Sequence, residues 1–385
     1  IGSNRMNRRH FLQLSALLPT LGLAPEIFAN QSDQKAPVLL LVELKGGNDG
    51  LNTLIPVDNP AYYRLRPTLS IPASSALNTG NGFAMHPALK PLQNHWQSKD
   101  MAWLHGLGYE NPNRSHFRSI EIWETGSDAN RYDDQGWIAK LYPQAERTLN
   151  GMVVGSDSGP LDNSEFSTLV MDDAKSFIRL SKRLREVRAE TSNPALAHVL
   201  DVQNNVQHNS QKVIEILQKT SNVNISFPNT KFGKRLAQTA HLITNGLGAG
   251  IYKVELGGFD THRSQKQRHH TLLNQLATGL DAFTSAMQQA GRWDNTLIMT
   301  YSEFGRRAAE NKSGGTDHGT AAAHFALGGR VTGGFHGTAP DLDNLQSGDL
   351  QYTSDFRKLY HSVATQWLGQ VSPWHKFGSF DLIHS

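Results

Sequence analysis

Cysteine is absent from the 385 residues. That removes disulfides, thiolate metal sites and a cysteine nucleophile. Long runs of one charge are also lacking, so no polyelectrolyte tail is expected. The net charge is only +3, and residues 1–29 hold three of the basic residues (Arg5, Arg8, Arg9) and one acidic one (Glu26), so the rest carries +1. Nothing there is a nucleic-acid footprint. No apolar run reaches the roughly 20 residues of a membrane-spanning helix. The nearest, Phe11 to Ala24, is broken by Gln13, Ser15, Pro19 and Thr20. What is present fits a folded chain able to bury a sizeable core: 38% apolar and 18% charged residues, with 17 histidines.

The amino terminus reads as an address. Arg8-Arg9-His10-Phe11-Leu12 precedes the short apolar stretch. The pattern resembles a twin-arginine export signal. Residues 1–29 are expected to be that signal peptide, with Ala29 before the cleavage point. The alternative is a basic helix that starts the fold. Export would place the protein in the periplasm or outside the cell. Residues 30–385 are expected to form a single domain with no membrane span.

Chemistry-bearing residues fall just past apolar runs. Ala36 to Leu44 is an apolar run, as expected of a strand covered on both faces, and it opens into Lys45-Gly46-Gly47-Asn48-Asp49-Gly50. Asp49 is thus a carboxylate beyond a strand end; its plain alternative is turn chemistry. Met101 to His105 reads as a second strand, followed by a loop and by Ser115-His116-Phe117-Arg118. Phe117, Ile120 and Trp123 have helical spacing. Ser115 would be the helix N-cap, or equally a hydroxyl at an anion-binding helix start. Gly250 to Leu256 alternates as a strand and exits into Asp260-Thr261-His262, where Asp260 is either a ligand or a cap of the helix from Gln265. Asn295 to Thr300 is a buried strand leading to Ser302-Glu303-Phe304-Gly305-Arg306-Arg307, then Asp317-His318. Ala321 to Leu327 is another strand, and Phe356 to Leu368 a last helix. The stretch 164–246 reads as mostly helical, an insertion or cap. Ligands in open α/β sheets bind beyond the carboxyl ends of strands. Carboxylates and imidazoles without thiolates suit Zn²⁺, Mn²⁺ or Mg²⁺. His324 and His336 are weaker ligand candidates.

Four motifs together, Gly-Gly-x-Asp-Gly-Leu-Asn at 46–52, Gly-Phe-Asp-Thr-His at 258–262, Ser-Glu-Phe-Gly-Arg at 302–306 and Thr-Asp-His-Gly at 316–319, resemble the DUF1501 family of exported bacterial proteins. That family in turn is similar to the alkaline phosphatase and sulfatase superfamily. The resemblance implies an α/β fold, a largely parallel β-sheet sandwiched between helices, with a site for one or two divalent ions at the strand ends. It implies Ser115 as nucleophile. Asp49, Asp260, His262, Glu303 and His318 would be metal ligands. Arg306 or Arg118 would clamp an anion. Phe304 departs from the superfamily pattern, which has a histidine there. The missing ligand could come from Asp317, Asn52 or His116. A formylglycine nucleophile is not expected, because Ser115-His116-Phe117-Arg118 lacks its context. Two functions follow. One is an exported metal-dependent hydrolase of phosphate or sulfate esters, acting on a small anionic ester or glycan. The other is a non-catalytic envelope protein that binds an anionic glycan, a metal or a partner protein.

Overall fold

Val38–Lys45 forms β1, and its alternation decides the layering. Val38, Leu40, Val42 and Leu44 join one apolar cluster, while Leu39 and Leu41 join another on the opposite face. Each fully buried aliphatic side chain contributes about 1.5–3 kcal/mol. A ladder hydrogen bond contributes about 0.5–1.5 kcal/mol net. Burial on both faces, not the ladder, therefore fixes this strand at the centre. A computed structural model of the chain describes residues 36–143, 149–163, 166–185, 187 and 191–384. Residues 1–29, expected to be a signal peptide, lie outside the described residues.

The remaining strands are β2 (Leu54–Ile55), β3 (Leu77–Gly80), β4 (Phe83–Met85), β5 (Met101–Gly108), β6 (Gly151–Val154), β7 (Thr168–Val170), β8 (Ile251–Gly257), β9 (Thr296–Tyr301), β10 (Ala322–Gly328), β11 (Gly334–His336) and β12 (Ser354–Asp355). The main sheet runs β11-β5-β10-β9-β1-β8-β6-β7, with β12 also on β5; β2, β4 and β3 form a separate small sheet. β1 is parallel to β8 (Leu39↔Ile251) and to β9 (Leu39↔Leu297). Among the described residues, only β10 runs antiparallel in the main sheet, against β9 and β5. The sheet is largely parallel, so β1, β5, β8 and β9 end at one edge, and β10 begins there.

The described residues form nine α-helices: α1 (Gly50–Thr53), α2 (Pro60–Leu65), α3 (Gln93–Gln97), α4 (His116–Thr125), α5 (Ala174–Ser181), α6 (Pro194–Gln218), α7 (Lys231–Thr244), α8 (Gln265–Gln289) and α9 (Phe356–Ser362). α7 and α8 put Phe232, Leu236, Leu273, Leu280 and Phe283 on one face of the sheet. α4 and α9 put Ile122, Trp123, Phe356, Leu359 and Tyr360 on the other. This is a sheet between helical layers. Within 164–246, β7 joins the main sheet and α7 belongs to a covering layer. No helix of the described residues is long and apolar enough to cross a membrane.

α4 is anchored to the sheet by charge. Lys253 on β8 is fully buried and meets Glu43 of β1 (3.1 Å), Glu124 of α4 (3.3 Å) and Asp157. Burial, offset in part by Lys253, pushes the Glu124 carboxyl up to about 7. An acid with a raised folded pKa binds its proton more tightly in the native state. Its contribution to stability therefore falls as pH rises from about 4.5 towards 7. Glu124→Gln is expected to flatten that part of the stability–pH curve. Urea unfolding at pH 4.5 to 7 checks it; a curve that keeps its slope in the variant overturns the assignment.

Candidate metal centre

The loops after β1, β8 and β9 are pressed together, and two glycines permit it. Gly46 (φ +120) would place a Cβ 2.4 Å from the Asp260 nitrogen, and Gly47 (φ +80) one 2.3 Å from the Phe304 ring. Arg306 is buried among them. Nε donates to Gly47 O (2.7 Å) and Nη1 to Thr316 O (2.9 Å). Nη2 serves Gly46 O, Phe259 O (3.0 Å) and Asp260 Oδ1 (2.8 Å). One guanidinium thus ties the three strand-end loops to the loop that carries His318. Arg306 and His318 also form an isolated antiparallel bridge.

Three imidazoles meet at Asp260. His262 Nε2 is 3.0 Å and His318 Nε2 3.2 Å from Asp260 Oδ1, and His116 Nε2 is 3.6 Å from Oδ2. Ligand atoms of His116, Asp260 and His318 all lie within 4.8 Å of one another. Each ring's other nitrogen is committed. His116 Nδ1 donates to Glu303 Oε1 (2.7 Å), His262 Nδ1 to Asp317 Oδ1 (3.3 Å) and His318 Nδ1 to Arg114 O (2.8 Å). These tautomers are assigned from the partners: a carbonyl or an ionised carboxylate can only accept. With Nδ1 protonated, a neutral ring would present its Nε2 lone pair to an ion; without one, the same rule makes Nε2 of His262 and His318 the donor to Asp260 Oδ1. His262 Nε2 and His318 Nε2 face each other at 2.9 Å. Two lone pairs repel at that distance unless a proton or a cation lies between them. His116, Asp260 and His318 offer two imidazole nitrogens and one carboxylate oxygen, a zinc-type donor set that leaves a position open, with His262 beside Asp260 and His318, and a second hydrogen bond on each ring is the usual device that orients a metal-binding histidine. The residues fit a single divalent ion.

The electrostatics agree. Burial alone would raise the Asp260 carboxyl, but Arg306 and the neighbouring histidines hold it down to about 2. Burial also opposes ionisation of Glu303, yet the His116 and Gly46 donors keep its pKa below the ordinary value. The Glu303 hydrogen bond raises the His116 pKa, and burial lowers that of His318.

Several expected roles are corrected. Asp49 does not reach the cluster: it is buried, accepts from Arg66 (2.6 Å) and Gln265, and caps α1 by accepting from Asn52 N (3.3 Å). Asn52 likewise accepts from Arg66 and Tyr62. Glu303 stands behind His116 and takes Gly46 N–H (2.9 Å). Asp317 stands behind His262. Arg306 is spent on carbonyls and Asp260, and Arg118 on the carbonyls of Ala129 (3.0 Å) and Arg131 (2.6 Å) and on Glu121 (2.6 Å), so neither is a free anion clamp. Ser115 is the α4 N-cap, exposed, with no side-chain capping bond. It stands in the chain between Arg114, whose carbonyl holds His318, and His116. Asp260 does not cap α8; Ser264 has that position. Phe304 is buried with its ring 4.9 Å from His116 and 4.5 Å from His318, centroid to centroid. His324 is buried beside Trp123, and His336 bonds Thr332 O. Arg66, Gln265 and the Arg114 carbonyl carry no motif that would have marked them.

The sequence profile of a family described as Protein of unknown function (DUF1501) matches residues 102–366, more than half of the chain. The chain belongs to the DUF1501 family. Three of the four DUF1501-like motifs, at 258–262, 302–306 and 316–319, lie inside the matched span. No curated protein gives a significant match. Among solved structures, the PsFucS1 sulfatase from Pseudoalteromonas sp. aligns at 10% identity and TM-score 0.42, covering 98% of this chain and 75% of that one. The phosphonate monoester hydrolase of Agrobacterium radiobacter aligns at 9% and 0.39, covering 90% and 78%. The phosphonate monoester hydrolase SpPMH from Silicibacter pomeroyi aligns at 10% and 0.42, covering 89% and 75%. Likeness this distant says nothing of what the DUF1501 chain acts on.

Proposed function

We propose that this chain is an exported, metal-dependent hydrolase of phosphate or sulfate esters. The observation that carries the reading is the meeting of three Nε2 atoms at Asp260, one of them from His116, which follows Ser115 at the start of α4. His116, Asp260 and His318 would hold one divalent ion, with His262 beside them and a position left open for the ester, and zinc is favoured by the donor set. When bound, such an ion polarises an ester oxygen and lowers the pKa of a nearby hydroxyl. Ser115 would supply that hydroxyl as nucleophile. The first intrahelical bond of α4 is Ser119 N–H to Ser115 O (2.9 Å). The N–H groups of His116, Phe117 and Arg118 precede it and face outward from the helix start, where an anion is stabilised. With Arg118 and Arg306 both spent, the helix start is the chain's own means of neutralising the ester. Phe304 packs against both His116 and His318 at the position where the superfamily pattern has a histidine, which favours one ion over two. The amino-terminal twin-arginine pattern supports delivery to the periplasm or beyond.

One observation favours a second reading, an envelope protein that binds an anionic glycan, metal or partner without catalysis: both candidate clamp arginines are buried in structural bonds. Metal analysis of protein purified after its own export, with a screen of phosphate mono- and diesters and sulfate esters, separates the two. The hydrolase reading expects about one equivalent of metal and turnover that disappears in Ser115→Ala. Metal-loaded protein that turns over none of these esters overturns it and leaves the binding role.

A further inference from the structure

A groove of about 790 Å³ opens beside the histidine cluster, a size typical of ligand sites. Arg114 belongs to both. Its main-chain carbonyl holds His318, while its guanidinium pairs with Asp349 at the groove. The groove wall is rich in amides: Asn111 and Gln346, and Asn113 and Gln351, which spend one end on Ser115 N–H and Asn344 O, with the ring of Tyr352 beside them. Asp349 is held rigidly by a tight turn. Ser347 (φ 54) and Gly348 (φ 83) are both left-handed, and Gln346 and Asp349 exchange two main-chain hydrogen bonds of 3.0 Å. The Asp349 side chain is 3% exposed. Its Oδ2 takes Arg114, but Oδ1 accepts no hydrogen bond from any described residue; Arg307 Nε stands 3.7 Å away. A buried carboxylate oxygen without a donor is costly to leave unmade, and a ligand hydroxyl would satisfy it.

The chemistry narrows the ligand. Glu110 and Asp349 are balanced by Arg114 and the adjoining Arg307, so the wall does not select a polyanion. Amides offer donors and acceptors together, which matches neighbouring hydroxyls that do the same. Tyr352, 40% exposed, offers an apolar ring face with a polar tip. We propose that this groove binds an uncharged carbohydrate segment, with Asp349 Oδ1 accepting a sugar hydroxyl and Tyr352 covering a ring face. The site rests on the proposed hydrolase function only in making the cluster the reacting end of a glycan ester; carbohydrate binding itself requires no turnover.

The test is an array of neutral gluco-, galacto- and manno-oligosaccharides, α- and β-linked, probed with the metal-loaded full chain, then calorimetric titration with those retained. At least one is expected to bind, and Asp349→Asn and Tyr352→Ala should each weaken it by about tenfold or more. Tyr352 is at the surface, so its variant should keep the wild-type metal content and thermal transition, which separates lost contact from lost fold. An array that retains nothing overturns the proposal, as does binding that both variants leave intact. Binding without ester turnover sinks the hydrolase reading alone; turnover without binding sinks the groove alone.

Discussion

His318→Ala is expected to empty the centre of metal and to abolish any ester turnover with it. The ring contributes one of three donors and, through Nδ1, is pinned by the Arg114 carbonyl. Alanine leaves His116 and Asp260, and the Asp260 charge remains neutralised by Arg306. A site reduced to two donors has little to hold an ion against the free metal's own hydration. Glu303→Gln is the informative comparison. Glu303 lies behind His116, so its loss should weaken metal binding by only about 10–100-fold, the range for such orienting partners. Competition with a chelating dye measures both. If Glu303→Gln costs more than His318→Ala, then Glu303 is itself a ligand and the arrangement described for the centre is wrong.

Arg306→Met should destabilise the fold by about 3–5 kcal/mol, the range for removing one partner of a buried charged network. The side chain is fully buried and reaches four main-chain carbonyls besides Asp260. Each carbonyl left buried and unpaired costs about 1–3 kcal/mol. Asp260 is 47% exposed, so its share of the loss is small and water replaces much of it. The damage is therefore to the packing of loops, not to one ion pair. Arg306→Lys should recover only part, because a single ammonium cannot span the same fork of acceptors. Urea unfolding gives the number, and a loss below about 1 kcal/mol would show that the loops hold together without the guanidinium.

Much of the scaffold was legible. The apolar runs before Lys45, Gly106, Gly257 and Ser302 each became a strand, and Ala321 to Leu327 became β10, offset by one residue. Strands of this kind are dictated locally, because side chains that alternate into two apolar clusters have no other place to go. The final helix was expected to run to Leu368; it is α-helical to Ser362 and continues as a π turn over Val363–Trp367. Of the expected ligands, the structure brings together Asp260 and His262, which follow a strand end, and His318 from a later loop, while Glu303 stands behind His116 and Asp49 lies apart. His116, weighed as a substitute ligand, joins them through Glu303.

What sequence left open was the division of labour among like residues. Asp49 and Asp260 are both acidic and both follow a strand and glycines. Only folding sets Arg66, 17 residues on, against the first, and three imidazoles around the second. Arg306 reads as a clamp for a substrate because it shares a strand-end loop with Glu303; the fold spends its N–H groups on Gly46, Gly47, Phe259, Thr316 and Asp260. The chain alone determined which residue types stand at the strand ends, since periodicity and composition are local. The tertiary structure decided which of them face one another, because a carboxylate's role is set by the charges and donors that distant segments bring within about 3–4 Å of it.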